Sequence, residues 1–199
     1  MSKFTRKIAL FKFVRMSALA LSMAGSSLFA TSAAAEEVYM IRGFLNVFSN
    51  GMNQMTNKLK ARGINAKAIS NGSWQDQASD IIRRSKSKRV SYPIVIVGHS
   101  LGGVEAVRFA NYLGANGVKT DLVIGLDPGF PQPPAFTKGA RQVINYKLPE
   151  GKRYRSGSGF KGKISTINAS KFGTDHVGID KNSRVQAEVI SRIRKKVRK

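Results

Sequence analysis

Residues 98–103 read Gly-His-Ser-Leu-Gly-Gly and follow the apolar run Pro93-Ile94-Val95-Ile96-Val97. A short buried strand passing through Gly-x-Ser-x-Gly into a helix holds its serine on a strained bend. The hydroxyl is exposed there, with the positive end of a helix behind it. Glycines must flank the serine because a Cβ at either place would collide with the neighbouring strand or helix. The chemistry such a turn supports is attack by the Ser100 hydroxyl on an electrophilic carbon. A serine hydroxyl is a weak nucleophile at neutral pH. It needs a base to take its proton, an acid to orient that base, and donors for the oxyanion that forms.

The chain holds two histidines, His99 and His176. His99 precedes Ser100 directly, and the direction of an elbow makes it a poor partner for its neighbour, so it is expected to lie buried beside the turn. His176, in Gly173-Thr174-Asp175-His176-Val177-Gly178, follows the last expected strand and precedes the terminal helix, where the base belongs in the order serine, acid, histidine. For the acid, Asp127 ends the apolar segment Asp121–Asp127 and is followed by Pro128-Gly129. Catalytic groups gather at that end of the strands in open α/β sheets. Asp175 and Asp180 are its rivals. The oxyanion donors are expected to be the Leu101 N–H, at the start of the elbow helix, and the Phe44 N–H in Arg42-Gly43-Phe44-Leu45, with Leu45 as the alternative.

These residues need a scaffold. Strands are expected at Val38–Phe44, Asn65–Ser70, Pro93–Val97, Asp121–Asp127, Gln142–Leu148 and Lys163–Asn168. Helices are expected from Asn50, from Trp74, from Leu101 and over 183–199. Strands alternating with helices imply parallel pairing, and near-continuous apolar runs such as Ile94–Val97 imply cover on both faces. The expected architecture is α/β: a three-layer α/β/α sandwich with a mainly parallel sheet and no cap domain. The irregular stretches 132–140 and 150–162 are expected to stay out of the core and to border the site.

Composition narrows the classes. There is no cysteine, which excludes disulfides, a thiol nucleophile and a cysteine zinc site, and with two histidines neither a metal nor another cofactor is expected. The first 35 residues have the plan of a secretory signal peptide. A basic start with Lys3, Arg6, Lys7, Lys12 and Arg15 leads into an apolar, small-residue run to about Ala30, and Ala33-Ala34-Ala35 precedes Glu36. Residues 36–199 then suit one domain, and a periplasmic or secreted location follows. With 34 basic against 11 acidic residues, a formal charge of +23, the chain should attract anionic surfaces. No nucleic-acid motif accompanies that charge. In the terminal segment Val185, Val189, Ile190, Ile193 and Val197 form an apolar stripe, read either as the packed face of the last helix or as a membrane-lying face.

On these motifs the chain resembles the α/β-hydrolase superfamily, its lipase-like and esterase-like members above all. Gly98–Gly103 is similar to the lipase elbow. Gly125-Leu126-Asp127-Pro128 resembles the segment that carries the acid, and His176-Val177-Gly178 the histidine loop of small lipases. Arg42-Gly43-Phe44 resembles the oxyanion turn, with arginine where the family usually has histidine. The resemblance implies a minimal serine ester hydrolase acting on a small or lipid ester or a thioester. Phe44, Leu45, Val47 and Phe48 could wall an acyl chain. The other reading is a non-catalytic module on the same scaffold, binding an anionic membrane or envelope polymer.

Overall fold

The computed structural model describes residues 36–44 and 49–198, which fall within one compact unit. The expected signal segment 1–35 lies outside the described residues, as do Leu45, Val47 and Phe48. Six strands form one sheet: β1 (Glu37–Ile41), β2 (Ala66–Ile69), β3 (Ile94–His99), β4 (Leu122–Leu126), β5 (Gln142–Lys147) and β6 (Lys163–Asn168). Their order is β2-β1-β3-β4-β5-β6, and every neighbouring pair is parallel. The sheet is therefore wholly parallel, where a mainly parallel one was expected. The chain first winds outward from β1 to β2, then reverses and continues from β3 on the other side of β1. That reversal opens a crevice at the carboxyl ends of β1 and β3.

Side chains alternate between the two faces of each strand. Val38, Met40, Val95, Val97, Ile124 and Tyr146 pack under α1 (Asn50–Lys60) and α4 (Ser183–Val197). Tyr39, Ile41, Ile94, Ile96, Val123 and Val143 pack under α2 (Trp74–Lys86) and α3 (Leu101–Ala115). Burial on both faces explains why all of β3 is apolar up to its glycine. Helix α1 turns Met52, Met55 and Leu59 inward at helical spacing. In α4 the same periodicity buries Val185, Val189, Ile190 and Ile193, so the apolar stripe belongs to the core and is not a free membrane-facing surface. The Asn182 side chain caps α4, accepting from the amides of Arg184 and Val185.

Two details differ from the sequence expectation. Strand β1 stops at Ile41, short of Phe44, because Gly43 turns away to meet other partners. The second concerns the links from β4 to β5 and from β5 to β6. Both lack a helix, yet both contribute to the core. Phe136 and Tyr154 are buried from them, with ring centroids 5.3 Å apart at 89°. They cover the part of the sheet that α2 and α3 leave bare. Tyr154 also donates to the Gly103 carbonyl at 2.7 Å and occupies the space a Cβ on Gly125 would need.

Candidate active site

The elbow is set by local sterics. Ser100 has φ 56° and ψ −123°, in the positive-φ half of backbone space that serine rarely enters. The turn closes because its neighbours are bare: a Cβ on Gly98 would overlap the Gly102 carbonyl, and one on Gly102 would overlap the Ile41 carbonyl. Ser100 N–H donates to Leu126 O at 3.1 Å, and Ser100 O accepts from Gly103 and Gly129 at 2.9 and 3.1 Å. The bend is therefore fixed from β4 as well as from its own helix.

Three residues far apart in the chain meet above this bend. His176 Nε2 lies 2.9 Å from Ser100 Oγ, and His176 Nδ1 lies 2.6 Å from Asp127 Oδ2. A carboxylate accepts only, so Nδ1 carries the proton and Nε2 is free to accept from the serine. Asp127 is buried, and its other oxygen accepts from Leu148 N–H at 2.9 Å. Gly151 leaves room for that carboxylate, since a Cβ there would run into Oδ1. The Asp127 hydrogen bond raises His176 above the usual histidine value, against the opposing effect of partial burial. The rival acids sit elsewhere. Asp175 accepts from Gly178 N–H and shapes the histidine loop. Asp180 is buried against the first turn of α1, near the Gly51 and Met52 amides.

A cleft of about 670 Å³ opens over Ser100, lined by Phe44, Leu101, Pro128, Phe130, Pro131 and Lys152. Phe44 is 63% and Phe130 85% exposed, so apolar rings stand free at its mouth. Both expected oxyanion amides, on Leu101 and Phe44, belong to cleft-lining residues. Leu101 opens α3, where amides point outward without a helical partner. Gly43 approaches so closely that a Cβ on it would come within 3.2 Å of Ser100 Cβ. Its carbonyl accepts from Asn71 Nδ2 at 2.7 Å, and its amide donates to Ser49 Oγ at 2.8 Å. Arg42 reaches away to Asn53 on α1.

Ser49 and Asn71 were not among the residues singled out from the sequence. A lone serine ahead of a helix and an Asn-Gly turn carry no local mark of a role beside β1. His99 is buried as expected, with Nδ1 2.8 Å from Ser49 Oγ and Nε2 2.8 Å from the His176 carbonyl. Among the described residues no cluster of side chains could hold a metal ion.

The topology, the elbow and the open cleft define an α/β-hydrolase. Residues 17–155 match the family described as lipase (class 3), and the chain belongs to that family. The match spans Ser100 and Asp127 and ends before His176. No curated protein matches the sequence. Among solved structures, the chain is similar to Est1E from Butyrivibrio proteoclasticus, with 13% identity and a TM-score of 0.55 over 86% of this chain and 92% of that one. It is also similar to a protein described as a hydrolase of the α/β superfamily from Xanthomonas campestris pv. campestris. There the identity is 13% and the TM-score 0.46, over 79% of this chain and 99% of that one.

Proposed function

We propose that the chain is a serine ester hydrolase working through an acyl-enzyme. The observation that carries this reading is the continuous hydrogen-bond line from Asp127 through His176 to Ser100, ending in an apolar cleft. His176 Nε2 takes the Ser100 proton as Oγ bonds to the acyl carbon. The carbonyl electrons move onto oxygen, and the Leu101 and Phe44 N–H groups donate hydrogen bonds to that oxyanion. His176, now protonated at both nitrogens and steadied by Asp127, passes the Nε2 proton to the departing alkoxide or thiolate. A water then attacks the acyl-enzyme, loses its proton to His176, and releases the acid as Ser100 Oγ recovers that proton. Phe44, Leu101 and Phe130 favour an apolar acyl chain over a polar one. We further propose that residues 1–35 are removed on export and that the enzyme acts in the periplasm or outside the cell. Amino-terminal sequencing of protein from cell fractions checks this, and a start at Glu36 is expected.

The decisive experiment combines a fluorophosphonate probe with short- and long-chain p-nitrophenyl esters. Ser100→Ala and His176→Ala should lose labelling, and kcat should fall by roughly 10⁴-fold or more. Asp127→Asn should cost about 10²- to 10⁴-fold, and Asp175→Asn far less; the reverse order would move the acid to Asp175. A wild-type protein that neither labels nor turns over any ester, yet binds anionic vesicles in a salt-sensitive way, would favour a non-catalytic module.

A further inference from the structure

His99 does more than fill space beneath the elbow. Its Nε2 faces a carbonyl, that of His176, which can only accept; Nε2 therefore carries the proton. In the neutral ring Nδ1 is then an acceptor, for a hydrogen bond from the Ser49 hydroxyl. The same Ser49 oxygen accepts the Gly43 amide. One directed line results: Gly43 N–H to Ser49 Oγ, Ser49 O–H to His99 Nδ1, and His99 Nε2–H to the His176 carbonyl. Every link measures 2.8 Å.

The two ends of that line are the two loops that must agree on where Ser100 stands. One is the 42–44 turn with the proposed oxyanion amide, and the other is the 173–178 loop with the proposed base. They follow strands that are not neighbours in the sheet, the interior strand β1 and the edge strand β6. No backbone hydrogen bond joins them among the described residues. Among the described residues a cavity of about 170 Å³ lies between them, lined by residues of both, Gly43 and Phe44 on one side and His176 and Val177 on the other, with Ser49, His99 and Ser100. Catalytic groups must be held to within roughly 0.5 Å to be productive.

We propose that His99 is a positioning residue, whose two ring nitrogens hold the oxyanion turn and the base loop at one separation around Ser100, through the Ser49 hydroxyl and the His176 carbonyl. This rests on the serine-hydrolase reading above. The directed line describes a neutral ring; a proton on Nδ1 would make Ser49 Oγ accept from both His99 and Gly43 and leave the Ser49 O–H without this acceptor. Burial holds His99 below the usual histidine value; Asp180 and Asp127 favour its charged form, and the nearby His176 ring, 5.3 Å away, disfavours it.

The two halves can be separated. Asparagine at position 99 places an acceptor near the Nδ1 level, and glutamine places a donor near the Nε2 level. His99→Asn should keep the oxyanion turn and free the base loop. The acid limb of kcat/KM then moves down towards the ordinary histidine value, and fluorophosphonate labelling slows roughly 10- to 100-fold. His99→Gln should leave the acid limb in place. It should lower kcat by a similar factor at unchanged KM and weaken binding of a trifluoromethyl ketone, which mimics the oxyanion, in step with kcat. Ser49→Ala removes one oxygen and should behave like His99→Gln, and it keeps the test open if the His99 variants do not fold. Wild-type kcat/KM and pH profile in all three, with only Tm lowered, would reduce His99 to core packing. If wild type turns over esters and Ser100→Ala retains that activity, the serine reading itself fails and this proposal falls with it.

Discussion

At the scale of single residues, the pH dependence follows from one hydrogen bond. In the proposed mechanism His176 must be neutral to accept the Ser100 proton, and the Asp127 carboxylate at 2.6 Å favours its charged form. A base whose pKa is raised stays protonated to higher pH, so activity should climb with pH through a midpoint above the ordinary histidine value of about 6.5. A kcat/KM profile with its acid limb below that value would contradict the geometry. Asn71 offers a second test. In a planar trans peptide the carbonyl and the following amide point in opposite directions. Asn71 holds the Gly43 carbonyl at 2.7 Å, so it also aims the Phe44 amide. Asn71→Ala is expected to lower kcat about tenfold with little change in KM, as read from steady-state kinetics.

At the scale of elements, the sheet that carries the site is tied by charge at the start of β1. Arg84 on α2 makes two bonds to Glu37 on β1, at 2.6 and 2.8 Å, and Tyr39 donates to the same carboxylate at 2.7 Å. Burial alone would raise Glu37, but Arg84 and Tyr39 outweigh it and hold the carboxyl below its usual range. Arg84→Ala leaves a buried carboxylate without its cation and should cost roughly 2–3 kcal/mol at pH 7, less than a fully buried pair because Arg84 is partly exposed. A carboxyl depressed in the folded state stabilises the fold above its unfolded value of about 4.3 and ceases to do so as pH falls through the folded value. The difference between wild type and variant, measured by urea denaturation, should therefore shrink below about pH 4. A difference that stays constant down to pH 3 would assign the loss to packing instead.

At the scale of the whole molecule, charge and core act in opposite directions. The full chain carries a formal charge of +23, and the excess of basic residues that remains in the fold strains the compact state by self-repulsion. Salt screens that repulsion, and the partly buried Glu37–Arg84 pair is screened much less. Raising the ionic strength from about 0.01 to 0.15 M, over which the Debye length falls from about 30 to 8 Å, should raise Tm. A fall in Tm would mean that attractive pairs dominate. The apolar stripe of α4 is spent on the sheet. Ile193→Ala should accordingly destabilise the fold by about 2–5 kcal/mol in urea denaturation, without changing lipid association.

Much of this molecule was legible along the chain because its signals are local. The elbow needs glycines two residues either side of Ser100, and the central strand must be apolar throughout to be covered twice. The helices betray themselves by spacing, as Met52, Met55 and Leu59 do on α1. Order along the chain also favoured His176 and Asp127 over His99 and Asp175 for the proposed roles, and the fold brings those two side chains to Ser100. What the tertiary structure alone decided are contacts between residues whose separation leaves no pattern. Phe136 and Tyr154 pack across two helix-free links. Asn71 meets a carbonyl 28 residues away, and Ser49 meets His99 across 50. Such polar pairs satisfy donors and acceptors that only folding brings together and removes from water. Their partners are fixed by where strands end, and no spacing of residue types announces them.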